Sequence, residues 1–281
     1  MSNVLTGRID LSSTERTNLL VQREKELVEG IDLIDGVRMR RISKEDLEDF
    51  KNSIFPLPSD KVASLKTFVL EKYITTKDGH DFQLDQIMQN TILAMRLLKK
   101  GNVSGNCVFY ILVSETREKF VSVEWSCEGG YRTLERWSFG KYDLSFDEIP
   151  ALKKKLSQIQ SIDFAEKKRL SLACKRFQRA YEEGDYEDQL IDFMIAFEAL
   201  FVGKDVRGAS KREKISIGCS DLVGETGKEK GYIVSFLSKA YSLRNLVVHA
   251  ADYKVKDEYE IPRVVSETED LLRKALNKLI D

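Results

Sequence analysis

From Phe193 to Val202 the chain reads FMIAFEALFV, and only Glu198 in that stretch is polar. A helix that is apolar on nearly every side has no face to offer water, so it has to be enclosed by other elements. That requirement shapes the rest of the chain, because the neighbouring segments must supply the enclosing faces. An ionised carboxylate inside such a helix is expensive unless paired. Arg244 is the natural partner for Glu198, either as an ion pair tying two helices together or as a contact that positions Arg244. Asp192, six residues earlier, lies on a different face and is read as a surface or helix-contact residue.

The segments that follow Pro150 meet the requirement. Helical periodicity predicts helices over Ala151 to Gln160, Phe164 to Glu183, Tyr186 to Val202, Ala209 to Val223, Lys228 to His249 and Glu258 to Ile280. The part before Pro150 is mixed. Ser12 or Ser13 caps a charged helix running through Glu29, and Asp35-Gly36 marks a turn between the apolar runs Ile31 to Ile34 and Val37 to Ile42. Ser43-x-x-Asp46 opens a short helix to Lys51, which Pro56 and Pro58 follow as breakers. Thr67 to Thr76 is a strand, and Asp81 to Lys100 is a helix with apolar positions at Leu84, Ile87, Met88, Thr91, Met95 and Leu98, ended by Gly101. Cys107 to Val113, Phe120 to Ser126 and Tyr131 to Phe139 are three strands. Gly129-Gly130 makes a hairpin of the last two, and Trp125 and Trp137 pack helices onto the sheet. The expected fold class is α+β. An N-terminal mixed α/β domain over 1–150, with a small, mainly antiparallel sheet, precedes an all-α bundle over 151–281.

Chemistry concentrates at Ser238 to Ala250, SKAYSLRNLVVHA. Leu237, Ala240, Leu243, Leu246 and Val247 recur at helical spacing as a core face, and Ser238, Ser242, Asn245 and His249 form a second stripe beside it. One turn apart, the Asn245 amide can reach the His249 ring and fix its tautomer. Arg244 and His249 are five residues apart, an angular offset of about 140° on a straight helix, so one helix cannot direct both at one ligand. A bend, or a second copy of the helix, is required.

The pattern Y-x-x-R-N-x-x-V-H at Tyr241 to His249, preceded by YEDQLIDFMIAFEALFV at Tyr186 to Val202, resembles the HEPN domain and within it the Apea-like group. The resemblance covers about Phe164 to Asp281. It implies an all-α bundle of HEPN type that dimerises and builds, from an R-x4-6-H motif on both protomers, the site of a metal-independent endoribonuclease. Arg244 and His249 are then the catalytic pair, with Glu198 in support, Asn245 orienting His249 or contacting phosphate, and Tyr241 either beside Arg244 in the site or a buried aromatic of the bundle. Members commonly carry Gly after the His, where this chain has Ala250, which changes how the helix can end. RNA supplies its own nucleophile, the 2′-hydroxyl. The protein therefore needs a group to manage protons, which imidazole does near neutral pH, and a cation for charge building on phosphate, which guanidinium matches with its fork of donors. The alternative is a non-catalytic HEPN-fold module that binds nucleotide or RNA, or regulates.

The same resemblance implies a toxin-like or antiviral effector acting on RNA such as tRNA or messenger RNA, held by an inhibitor or released by a trigger protein, with 1–150 sensing or regulating. A net charge of −1 excludes wholesale coating of nucleic acid but leaves room for a local site. The basic run Lys204 to Lys214 is one candidate, with Arg207, Lys211, Arg212 and Lys214 as phosphate contacts or simply a solvated connection. Four scattered cysteines and two histidines suggest no zinc site, disulfide framework or cofactor. His80, in the polar turn KDGHD, is read as exposed and idle. Gly224 to Lys228 lacks the spacing of a phosphate-binding loop, since Glu229 stands where a hydroxyl is needed. No apolar run approaches the ~20 residues of a spanning helix and no secretory signal opens the chain, so a cytoplasmic protein is expected.

Overall fold

A computed structural model describes residues 30–34, 36–41, 43–45, 68–72, 82–103, 107–113, 119–125, 139–140, 142–203, 210–249 and 260–281. Among them are seven α-helices and five strands. The expected helix before Glu29, the short helix after Ser43 beyond Glu45, the third strand of the Tyr131 to Phe139 run up to Ser138, and His80 and Trp137 lie outside the described residues.

The chain divides into two compact units, each discontinuous in sequence. One takes Met1–Ile92, Gly105–Arg132 and Asp143–Ser157, and the other Leu93–Ser104, Thr133–Tyr142 and Gln158–Asp281.

The first unit holds two small antiparallel sheets. Strands β1 (Ile31–Asp32), β2 (Val37–Arg41) and β3 (Phe68–Lys72) pair in sequence order, with Met39 opposite both Ile31 and Leu70. Their first turn needs Gly36, whose φ of +73° a side chain would strain. Leu33 and Val37 close that turn through Leu33 N–H to Val37 O at 2.7 Å. Strands β4 (Cys107–Val113) and β5 (Lys119–Trp125) form a separate ribbon, with Tyr110 opposite Ser122. Both are rich in β-branched and aromatic residues, which favours strand pairing. The helix α1 (Phe82–Leu98) begins in this unit, and most of α2 (Ile149–Gln160) belongs to it.

The second unit is a helical bundle: α3 (Lys168–Ala180), α4 (Tyr186–Phe201), α5 (Lys211–Val223), α6 (Gly227–Val248) and α7 (Glu260–Ile280). Helix α4 touches all four of the others, which is what its all-round apolar sequence demands. Leu190, Phe193, Met194, Ala196 and Phe197 on it are fully buried. Acidic Glu187 and Asp188 in its first turn complement the helix dipole. At the other end Arg169 of α3 donates from Nε to Ala199 O (2.7 Å) and from Nη2 to Leu200 O (2.8 Å), satisfying carbonyls that the helix end leaves open. Of the two readings of Asp192 the helix contact holds: it is buried, and its carboxylate joins α4 to α3 through Arg176 (2.8 Å) and Arg179 (3.4 Å).

The end of α1 also packs in this unit. From Leu93 to Leu97 it is buried on every side, including Arg96, whose side chain is fully enclosed. Its guanidinium donates to Val103 O (2.8 Å) and Gln178 O (2.9 Å) and lies 4.7 Å from the centre of the Tyr181 ring. Tyr181 in turn donates to the buried Glu269 of α7 at 2.7 Å. Gly101, with φ of +150°, allows the next stretch of backbone to pass, since a Cβ there would lie 2.9 Å from Tyr142 Cα.

Two expectations need correction. The helix predicted from Phe164 begins only at Lys168, because Asp163 Oδ1 accepts the backbone N–H groups of Ala165 (2.8 Å) and Glu166 (3.2 Å) and diverts the chain into a turn. Leu246, assigned to the core, is 43% exposed, on the outer face of α6 with Ser242 and His249.

Candidate functional site

The site is built on three helices of the bundle. Glu198 comes from the last turn of α4, Lys211 from the first turn of α5, and Tyr241, Arg244 and Asn245 from the last two turns of α6. Helix α5 starts where it does because Ser210 caps it. The Ser210 hydroxyl accepts from Glu213 N–H, and the Glu213 carboxylate accepts from Ser210 N–H at 2.7 Å. These bonds hold the Glu213 carboxyl below its ordinary range.

Glu198 is largely shielded, as its helix requires, but it has two cations rather than one. Its Oε2 lies 3.1 Å from Lys211 Nζ and its Oε1 lies 3.6 Å from Arg244 Nη2. The expected partner, Arg244, is therefore present at the longer distance, while Lys211 makes the hydrogen bond. Arg244 Nη1 donates to Asn245 Oδ1 at 3.1 Å, and its Cζ sits 5.8 Å from the Tyr241 ring centre. Arg244 Nε and Glu198 Oε1 are both shielded from solvent without a hydrogen-bond partner. Burial, and then the neighbouring Glu198 carboxylate, push the Tyr241 phenol above its ordinary range.

His249 closes α6 as its C-cap, its N–H donating to Asn245 O at 3.1 Å. His249 is exposed to solvent. Its ring makes no hydrogen bond among the described residues, which corrects the expectation that Asn245 fixes its tautomer. The Asn245 carbonyl serves Arg244 instead. Leu246 (43%) and Val248 (47%), close to His249 in sequence, are also exposed.

Of the basic run, Arg207 lies outside the described residues, Arg212 is exposed, Lys214 is half-buried and only Lys211 joins the cluster. The role of Lys211 as a Glu198 partner was not readable from spacing, since the two are brought together by the packing of α5 on α4.

Among the described residues no group of His, Cys, Asp and Glu is arranged to hold a metal ion. Cys174 and Cys219 are buried, and burial pushes both thiols up to about 12, which makes them poor ligands and nucleophiles at neutral pH. No described helix is long and apolar enough to cross a membrane. Comparison of the chain with family models, with characterised proteins and with solved structures finds no match to any of them.

Proposed function

We propose that the chain is a metal-independent endoribonuclease of HEPN type, with Arg244 and His249 as its catalytic residues. The observation that carries this reading is a shielded guanidinium with donors to spare, close in sequence to an imidazole open to solvent. The chemistry needs an RNA 2′-hydroxyl to attack the adjacent phosphorus. One His249, as neutral imidazole, takes the hydroxyl proton as the O2′–P bond forms, and the O5′ receives a proton from an imidazolium or from solvent water as the P–O5′ bond breaks. Arg244 stabilises the non-bridging oxygens. The products are a 2′,3′-cyclic phosphate and a 5′-hydroxyl, and DNA resists because it lacks the nucleophile.

The angular offset of about 140° between Arg244 and His249 on a regular helix favours a site shared between two copies. The exposed pair Leu246 and Val248, close to His249 in sequence, offers apolar surface for that contact. Tyr241 and Asn245 support Arg244, the first under its plane and the second through its amide oxygen. The setting that fits such an activity is a toxin-like effector acting on cellular RNA, kept in check by a partner protein.

Incubation of the purified protein with tRNA and with total RNA in EDTA, beside Arg244→Ala and His249→Ala, tests the reading. Cleavage by the wild type alone is expected. Equal activity in all three, or none in any, defeats it. The Arg244–Glu198 contact favours a second reading, a non-catalytic module in which the pair only ties α4 to α6. That reading predicts lower stability of Arg244→Ala with no RNA cleavage by any form.

A further inference from the structure

We propose that Lys211 and Arg244 together form the phosphate clamp of this site and that Glu198 occupies the clamp as a built-in competitor. RNA then binds by taking the place of a carboxylate. The inference rests on the RNA-directed reading above and adds how the site is regulated.

The argument starts from the shape of the contact. One carboxylate presents its two oxygens to two cations on different helices, at 3.1 Å and 3.6 Å. A phosphodiester presents two non-bridging oxygens and the same single negative charge, so it can replace the carboxylate cation for cation. The Arg244 side of the contact is unsaturated. Its Nη2 stands off at 3.6 Å, its Nε has no acceptor, and the Glu198 oxygen nearest it accepts no hydrogen bond. A guanidinium held this way is positioned without its fork being filled.

Lys211 supplies the route in. Its side chain is 48% exposed, whereas those of Glu198 and Arg244 are each 19% exposed, so an anion arriving from solvent meets the ammonium first. Glu213, the nearest other carboxylate in sequence, is engaged by the cap of α5 and does not compete for Lys211. With Glu198 in place the cluster carries two positive charges and one negative, a residual attraction for phosphate that Glu198 moderates.

The test measures binding apart from cleavage. A fluorescein-labelled 2′-O-methyl oligouridylate, which cannot be cut by 2′-hydroxyl attack, is titrated with wild type, Glu198→Gln, Lys211→Ala and Lys211→Arg over a range of salt. Glu198→Gln is expected to bind several-fold more tightly. Lys211→Ala should bind several-fold more weakly, with a salt dependence shallower by about 0.7 in log–log slope, and Lys211→Arg should restore both. Wild-type affinity and slope in Lys211→Ala overturn the proposal, and so does weaker binding by Glu198→Gln at an unchanged Tm. If Glu198→Gln fails to fold, the Lys211 pair still decides, because that side chain is half in solvent. The two readings fail separately: wild-type cleavage with an inert Lys211 leaves the nuclease without the clamp. Clamp behaviour with no cleavage of unmodified RNA leaves the clamp without the nuclease.

Discussion

Replacing Arg96 by methionine removes a fully buried cation of the helical unit. The substitution keeps a long apolar stem but deletes donors to Val103 O and Gln178 O, both shorter than 3 Å. Hydrogen bonds from a charged group contribute about 1.5–3 kcal/mol each, so two of them amount to about 3–6 kcal/mol. The lost contact with the Tyr181 ring adds about 1 kcal/mol or more. Burial of the methionine side chain returns about 2 kcal/mol. The net expectation is a loss of about 3 kcal/mol. Burial also pushes the guanidinium down to about 10, against the opposing pull of Glu182 and Tyr181, so the charge is held at a cost that its hydrogen bonds must exceed. Arg96→Lys is therefore no rescue: an ammonium keeps the penalty and lacks the fork that serves both carbonyls. Urea unfolding followed by far-UV circular dichroism measures the change for each variant. A methionine variant within about 0.5 kcal/mol of wild type would refute the reasoning, because the two carbonyls would then have to be satisfied without Arg96.

Tyr181→Phe deletes the 2.7 Å donor to Glu269 and is expected to lower stability by about 2 kcal/mol at neutral pH. Burial raises the Glu269 carboxyl above its ordinary value, against the pull of Arg273, Tyr181 and Lys100. The folded state therefore keeps that proton to higher pH than the unfolded chain, and stability from this group falls as pH rises through the window between the two values. Loss of the Tyr181 donor moves the upper edge of the window up, so the deficit of Tyr181→Phe should shrink on acidification. A deficit that stays flat with pH contradicts this. Gly218→Ala places a Cβ 2.7 Å from Phe201 Cδ1 where α5 packs on α4, and should lower stability by about 1–3 kcal/mol; an unchanged Tm would show that the ring gives way freely. Asp192→Ala leaves Arg176 and Arg179 without their shared carboxylate and should cost about 1.5–3 kcal/mol, read by urea midpoint, with no loss expected if the pair were merely superficial.

Much of the bundle was legible because its elements carry strong periodic signals. The residues from Phe193 to Val202 leave no polar face, and the helix they form does sit at the centre of the bundle. The start of α5, read as Ala209, falls at Lys211, because the reciprocal bonds of Ser210 and Glu213 set it, a cap that periodicity does not show. Periodicity was silent on how far neighbours extend, which is why Leu246 carries a core pattern and yet faces solvent. It was also silent on Arg96, a long cation among apolar residues whose acceptors are carbonyls distant in sequence. The candidate site was legible on α6 and at Glu198, where unusual residues interrupt apolar helices. Lys211 was named only as one charge in a basic run, because its meeting with Glu198 is set by the packing of α5 on α4 and not by any repeat in the chain.

The grip of Arg169 on the final carbonyls of α4 has a mechanical consequence for that meeting. With the helix end pinned to α3, the carboxylate one turn back is mounted on a fixed support. The exchange of anions proposed above then calls only on the flexible four-carbon stem of Lys211 and on rotation within the Glu198 side chain.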